Sequence, residues 1–441
     1  MTATPAAAPV PETGASQTLN LSGLLKRPLT ARDGESLGRL SDVIVRLRGA
    51  DYPLVTGLVG TVGRRQVYVP VEQVSSFDAE ELKLTSARLD LRRFERRDGE
   101  VLLRADVLGH RLIDVERAHL VRAADLQLAR RDGAWVLSGI DARRRPRGIL
   151  GLLGLGRQEQ EHEQEAFRDQ SKFEVLIGHT GSAVLRGPFA RIRGLKPAQI
   201  ADLLEDASKA EETEILGRVH VDPELEADVF EELDDDLATR LLGARSDQEV
   251  AEVISRMRAD DAADVIAELP QRRRQPVLDL LPPGQRTKVL TLMGFNPTSA
   301  GGLMGMDFLA LASGTRVDEV LAAVREAVSL QPEALTSVHA ISEKGRLLGV
   351  ARLVALVQAD PSARLVDVSD TDPVRVGADT DVVDVAVLMT DYNLITIPVV
   401  DERCRVLGVI TVDDVLEVTL PEDWRRREAA EPPDAHRGEA Q

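Results

Sequence analysis

A single cysteine, Cys404, means that no disulfide forms within this 441-residue chain, and it excludes a zinc site built on several thiolates. Aromatic residues make up 3%, too few for a platform on which nucleic-acid bases stack. No apolar run approaches the roughly 18–20 residues that cross a bilayer. The longest, from Ile149 to Leu155, is interrupted by glycines, so no transmembrane segment is expected. The opening residues lack both a basic stretch and an apolar stretch, so a secretory signal is not expected either. Seven histidines are scattered without an H-E-x-x-H pair, and no Ser/His/Asp arrangement can be nominated. The expectation is a non-enzymatic protein.

What is present is acid. The chain carries 73 Asp and Glu against 55 Lys and Arg, a formal net charge of −18. Residues 1–156 hold 24 basic and 19 acidic side chains, about +5, which leaves about −23 for the remainder. Phosphate neutralisation needs a basic face, so no nucleic-acid partner is expected. The acidic part favours cations. An apolar content of 43% supports a packed core, and the length suggests about three domains.

Residues 1–18 and 421–441 read as disordered tails. Over 19–142 the pattern is that of short strands: Val43, Val45 and Leu47 alternate, as do Val67, Val69 and Val71. Asp98-Gly99 and Asp132-Gly133 each lie between strand-like runs and predict hairpins. Leu37-Gly-Arg-Leu-Ser-Asp-Val43 is echoed by Leu108-Gly-His-Arg-Leu-Ile-Asp-Val115 with one residue inserted, which predicts two related β units packed together. With Arg32 to Asp42, Val69-Pro-Val71 and Leu120 to Leu128, this stretch resembles the PRC-barrel family. The resemblance implies a tandem protein-docking module rather than chemistry. Residues 143–196 read as a linker, with a basic and Gly-rich segment, Arg143 to Arg157, followed by acidic residues 159–165. That segment either touches a membrane surface or clasps the neighbouring barrel.

From 197 to 303 the pattern is helical and repeats every twelve residues. Val229, Leu241, Val253, Val265, Val277 and Val289 are each followed by a large apolar residue. Four positions past each lead residue the side chain is again apolar, except Arg245. Helices of about two turns cannot bury such a face alone, so they are predicted to stack into a superhelix. From 304 to 420 come two similar β–β–α passages, Val338 to Val350 and Ile397 to Asp414, which resemble a pair of CBS domains. The superhelix, the junction Ala300-Gly-Gly-Leu-Met304 and this pair together resemble the cytosolic region of MgtE-type magnesium transporters. The expected fold class is therefore multidomain α+β: PRC-like β-barrel units, a helical superhelix and an α/β CBS pair.

The resemblance implies Mg²⁺ as a ligand that shields acids facing each other across the superhelix–CBS interface. The matching residues are Asp260, Asp261, Asp264, Asp379, Asp381, Asp384, Asp391, Asp413, Asp414 and Glu417. Asp261 and Asp264 share a helix face, as do Asp414 and Glu417. Carboxylates about 6 Å apart repel by roughly 1–3 kcal/mol at intermediate dielectric, enough for a few pairs to bias a hinge. Asp379 or Asp381 also suits a helix cap. CBS pairs bind adenine nucleotides such as ATP, and Gly408-Val-Ile-Thr-Val-Asp-Asp414 carries that pattern. It implies Thr411 at a phosphate, Asp414 at the ribose and the Ile397-Pro398 backbone beside the base. In the first unit Arg352 and Ala355 depart from the pattern. Pro421 and Arg425 to Arg427 stand where an acidic connecting helix would lead to the pore, so the chain is not expected to be the pore. The expected protein is a cytoplasmic Mg²⁺ sensor at the inner face of the membrane, a homodimer through its CBS pair, signalling to a membrane transporter. Two alternatives remain: a non-pore component of a Mg²⁺ transport system, and a PRC-based adaptor without cation sensing.

Overall fold

A computed structural model describes residues 18–48, 51–77, 80–97, 99–142, 167–176 and 191–420. The expected tails with Arg425 to Arg427, the basic and Gly-rich segment from Arg143 to Arg157, the acidic 159–165 run and Asp98 lie outside these residues. The chain packs as two compact units, 1–233 and 234–441.

The first unit is built on a long hairpin, Ser36–Arg48 against Asp51–Val62, with Val43 opposite Leu58. Arg65–Pro70 lines the other side of the second strand. Val43, Val45, Val67 and Val69 enter the core, as their alternation predicts, but Val71 begins a short 3₁₀ turn instead of extending the strand. Asp132-Gly133 turns Asp125–Arg131 back against Ala134–Asp141 with φ of 49° and 79°, the positive pair a two-residue hairpin turn requires. Among the described residues no strand ends at Arg97 to pair across Gly99 with the one that follows. Glu100–Leu102 pairs instead with Ser36–Arg48, whose C-terminal half leaves an edge free beyond its contact with Pro28–Thr30. Arg111–Asp114 lies between His119–Arg122 and Phe173–Val175 in a separate small sheet. Both copies of the internal repeat feed one core, which includes Leu40, Leu112, Leu126, Trp135 and Phe173 and is closed by the short helix α1, Leu21–Leu24. Three helices complete the unit: α2 (Pro197–Glu205), α3 (Lys209–Val219) and α4 (Pro223–Glu231).

The second unit continues the helical run with α5 (Asp235–Gly243), α6 (Asp247–Ile254), α7 (Ala259–Glu268), α8 (Gln271–Leu280) and α9 (Pro283–Leu292). From α4 to α9 the starts fall at 223, 235, 247, 259, 271 and 283, the twelve-residue period read from the apolar pattern. Each helix packs on the one two places further along, α5 on α7, α6 on α8 and α7 on α9, so a two-turn helix buries its stripe only in a stack. The lead positions are buried apart from half-buried Leu241, and Leu290 alone of the following residues is exposed, on the last helix of the run. Arg273 of α8 holds two successive helices together. Its guanidinium donates to the Arg245 carbonyl past the end of α5 at 2.8 Å and to Asp247 at the start of α6 at 2.6 Å.

After α10 (Ala300–Leu303) come two matching α/β passages. In the first, Ala310–Ala312 runs parallel to Ser337–Ile341, which pairs antiparallel with Leu347–Arg352; α11 (Val317–Glu326) and α12 (Leu353–Gln358) accompany them. In the second, Val376–Gly377, Thr396–Val400 and Val406–Thr411 repeat the order with α13 (Val382–Asp391) and α14 (Val412–Thr419). The central strands bulge at the same place, Ala340/Ile341 and Val399/Val400, and the Ser337 and Thr396 hydroxyls share a 2.6 Å hydrogen bond.

The Ala-Gly-Gly-Leu junction lies against the second passage. Ala300 and Gly301 donate backbone N–H bonds to the Thr380 and Ala378 carbonyls at 2.8 and 2.7 Å. A Cβ at Gly301 would lie 2.7 Å from the Phe295 ring and 3.0 Å from the Ala378 carbonyl oxygen, so the absence of a side chain permits this approach. Gly301→Val is expected to cost about 1–3 kcal/mol of unfolding free energy through overpacking, measured by denaturant titration. An unchanged midpoint would show that the junction is not held as described.

Candidate functional site: an acidic face around Arg258

Within the second unit the start of α7 meets the start of α14. Both helices open with acids, Asp260 and Asp261 on one and Asp413 and Asp414 on the other, where the helix dipole favours negative charge. On α14 the reason is local: Thr411 donates to one Asp414 oxygen through its backbone N–H at 2.8 Å and its hydroxyl at 2.7 Å, a capping box. The other Asp414 oxygen accepts from Arg258, just before α7, at 3.0 Å. Arg258 also donates through Nε to Asp261 at 2.6 Å, and its guanidinium comes within 4.0 Å of Asp260. One arginine thus stands among three carboxylates on two elements far apart in sequence. Burial works against its charge; Asp261, Asp260 and Asp414 more than restore it, so its pKa is held above the usual arginine value.

Asp260 is buried, and that burial, reinforced by Asp261, pushes its pKa up to about 7 against the opposing pull of Arg258. One turn along, Asp264 is likewise raised to about 7, by burial and then by the like charges of Asp235, Asp260, Glu417 and Glu268. Water still reaches the Asp264 side chain, so solvent screening trims the burial contribution and the surrounding acids are the durable cause. Asp235 at the start of α5 is raised by burial and by Glu268, Asp234 and Glu417. The face therefore has two parts: the corner held by Arg258, and a group of acids in which Glu268 and Glu417 raise Asp235 and Asp264.

The structure brings Asp260, Asp261, Asp264, Asp414 and Glu417 together, with exposed Asp413 beside Asp414. It places the other acids elsewhere in the second CBS passage. Asp381 caps α13, accepting the Val383 N–H at 2.8 Å; Asp379 is exposed before it, and Asp384 and Asp391 lie on exposed positions of that helix. Ile397 and Pro398 are buried in the central strand. Thr411 and Asp414 adjoin as the nucleotide pattern implies, but they bond to each other and Asp414 also to Arg258, so a ribose would have to displace that arginine. Among the described residues no group of three or more His, Cys, Asp or Glu side chains is arranged to hold a metal ion. These acids fit a cation that keeps its water shell better than one held by direct ligands. The residue that sequence reading missed is Arg258; its one local signal was the three-residue spacing to Asp261.

No helix among the described residues is long and apolar enough to cross a membrane. Residues 195–298 match the family profile of the MgtE intracellular N domain, and residues 365–421 match that of the CBS domain. The chain therefore carries an MgtE intracellular N domain followed by a CBS domain, homologous to the cytosolic region of MgtE transporters. The magnesium transporter MgtE of Thermus thermophilus is 38% identical over 189 residues, 41% of each chain. That of Bacillus subtilis is 23% identical over 228 residues, 52% of this chain and 50% of the relative. The chain spans about half or less of the length of these relatives. Among solved structures, the cytosolic domain of the Mg²⁺ channel MgtE in complex with ATP is 31% identical, with a TM-score of 0.49 over 54% of this chain and 97% of that one. The soluble part of a magnesium transporter is 20% identical, with a TM-score of 0.50 over 54% and 92%, a likeness of fold. The matched modules are regulatory and transport modules, not catalytic ones.

Two outcomes follow from the geometry. Because Asp260 and Asp264 sit near 7 against an ordinary 3.8, the folded state binds protons more tightly than the unfolded chain across that interval. Stability is therefore lost as pH rises through it and levels off above about 8. Thermal unfolding is expected at a lower temperature at about pH 8 than at about pH 5.5, and Asp264→Asn should raise the high-pH midpoint and narrow the difference; an unaltered profile would count against this account. Second, Arg258→Met leaves buried Asp414 without its countercharge and should cost about 2–3 kcal/mol, read by denaturant unfolding at neutral pH.

Proposed function

We propose that the chain is a cytoplasmic, Mg²⁺-responsive regulatory protein in which a divalent cation settles the acids on the α7–α14 face and so tightens the superhelix onto the CBS pair. The observation that supports this reading most directly is the mutual crowding of Asp235, Asp264, Glu268 and Glu417 beside a corner that Arg258 already neutralises. A hydrated Mg²⁺ carries two charges into that crowd without displacing Arg258, and the relief of several repulsions favours the closed arrangement. Signalling then passes to a partner, a membrane magnesium transporter at the inner face of the membrane. In such a system the chain would serve as a non-pore component.

Homodimerisation through the CBS pair belongs to the same proposal. Its support is a groove of about 580 Å³ between α13 and α14, lined by Val382, Val383, Ala386, Val387 and Val418. Val383 is 60% and Val387 52% exposed, more apolar surface than a lone helix face normally leaves to water. An adenine nucleotide at Thr411 and Asp414, with the Ile397-Pro398 backbone at the base, enters the proposal as a competitor of Arg258 for the Asp414 carboxylate. The PRC-like docking role of the β-rich unit is a second reading, supported by the basic surface considered below.

The test is amide hydrogen exchange across a Mg²⁺ titration to about 20 mM, with Na⁺ matched for ionic strength so that general screening is common to both. Exchange in α7 and α14 should slow with Mg²⁺ alone. In the Asp235→Asn, Asp264→Asn double variant it should be slow from the outset and insensitive to Mg²⁺. Exchange in the wild type that is indifferent to Mg²⁺ would overturn cation sensing and leave the adaptor reading.

A further inference from the structure

The two copies of Arg-Leu-x-Asp-Val in the β-rich unit have the same local fates but different charge partners. Leu40 and Leu112 are buried, and so are Asp42 and Asp114 three residues after each arginine. In the second copy, Arg111 donates to Glu211 in the first turn of α3 at 3.1 Å and to the Asp206 carbonyl just past α2 at 3.0 Å. An acidic helix start thus docks on that arginine within the same compact unit. In the first copy Arg39 is exposed, and neither it nor Lys26 has a side-chain partner among the described residues. The two line a cleft of about 520 Å³ with Arg104, Ser36, Ser41 and Thr61, and among the described residues no carboxylate lines it.

The cleft is held in place from below. Buried Asp42 accepts the backbone N–H groups of Arg104 at 2.7 Å and Ala105 at 3.0 Å, fixing the segment that carries Arg104. Arg104 reaches over to the Ser41 carbonyl at 3.3 Å. Lys26 stands in the left-handed region, at φ 68°, with its N–H bonded to the Leu40 carbonyl at 2.9 Å. Three cations gathered at one mouth, in a chain with an acid surplus, select a negative group.

We propose that this cleft is a docking surface for the acidic start of a helix on a partner protein, whose first-turn carboxylates meet Arg39 and Lys26 as Glu211 meets Arg111. The inference stands apart from cation sensing and survives its failure. The probe is a fluorescein-labelled peptide of residues 206–219, the chain's own α3 with its acidic start, added to the full chain at about 50 mM salt. Saturable binding is expected, weakened at least about tenfold by Arg39→Glu and by Glu→Gln changes at 211, 212 and 214 of the peptide, and unchanged by Arg130→Glu on the distant hairpin. No binding up to about 1 mM peptide overturns the proposal, as does equal loss in the Arg130 control. A dimer that dissolves on Arg39→Glu, seen by light scattering, would make the occupant a second copy and overturn the assignment to another protein.

Discussion

Arg258 is the contact on which the second unit turns. Its guanidinium is bonded to Asp261 of its own helix and to Asp414 of a helix far along the chain, so it fixes α7 against α14 where acids would otherwise face acids. Asp414 could not be buried at 6% exposure without that charge and the Thr411 bonds. The same contact decides what the remaining acids are available for. Asp261 and Asp414 bond to it directly; Asp264 and Asp235, a turn and a helix away, crowd against Glu268 and Glu417 and hold their protons tightly.

The superhelix makes that crowding possible. Helices of eight to ten residues repeated every twelve are too short to be stable alone, and each relies on the helix two places on. Their loops bring every second helix start to the same side, which is how Asp235 of α5 and Asp260 of α7 both come to influence Asp264. The stack ends at α9, and the Ala-Gly-Gly-Leu junction then ties it to the second CBS passage through backbone bonds that leave no room for a Cβ at Gly301.

The β-rich unit uses charge differently. Its repeated Arg-Leu-x-Asp-Val buries one acid per copy. Asp42 is raised to about 6 by burial, with three backbone N–H bonds opposing that rise, and Asp114 is paired with Arg168. Burying a carboxylate is costly, and its return here is placement: each buried acid fixes a neighbouring loop or strand. The mildly basic balance of this part of the chain comes to a point in the Lys26–Arg39–Arg104 cleft, opposite in sign to the α7–α14 face.

The twelve-residue apolar period, the Asp132-Gly133 turn, the doubled Arg-Leu-x-Asp-Val and the two matching α/β passages were legible in the sequence, because each is a local rule about which side chains a short segment must bury or which φ a turn demands. The MgtE-like order of superhelix, junction and CBS passages came instead from resemblance to a known family. The candidate site was only half legible. Spacing put Asp261 with Asp264 and Asp414 with Glu417, and the family resemblance supplied the wider acid set, including Asp381, which caps α13 as its alternative reading allowed; both passed over Arg258. The strand after Gly99, Glu100–Leu102, pairs with the edge of Ser36–Arg48, a partner that spacing along the chain does not name. Spacing along a chain says which residues share a face; which face meets which, and which charge arrives to neutralise a cluster, depends on contacts between segments more than a hundred residues apart, and that was decided by the tertiary structure alone.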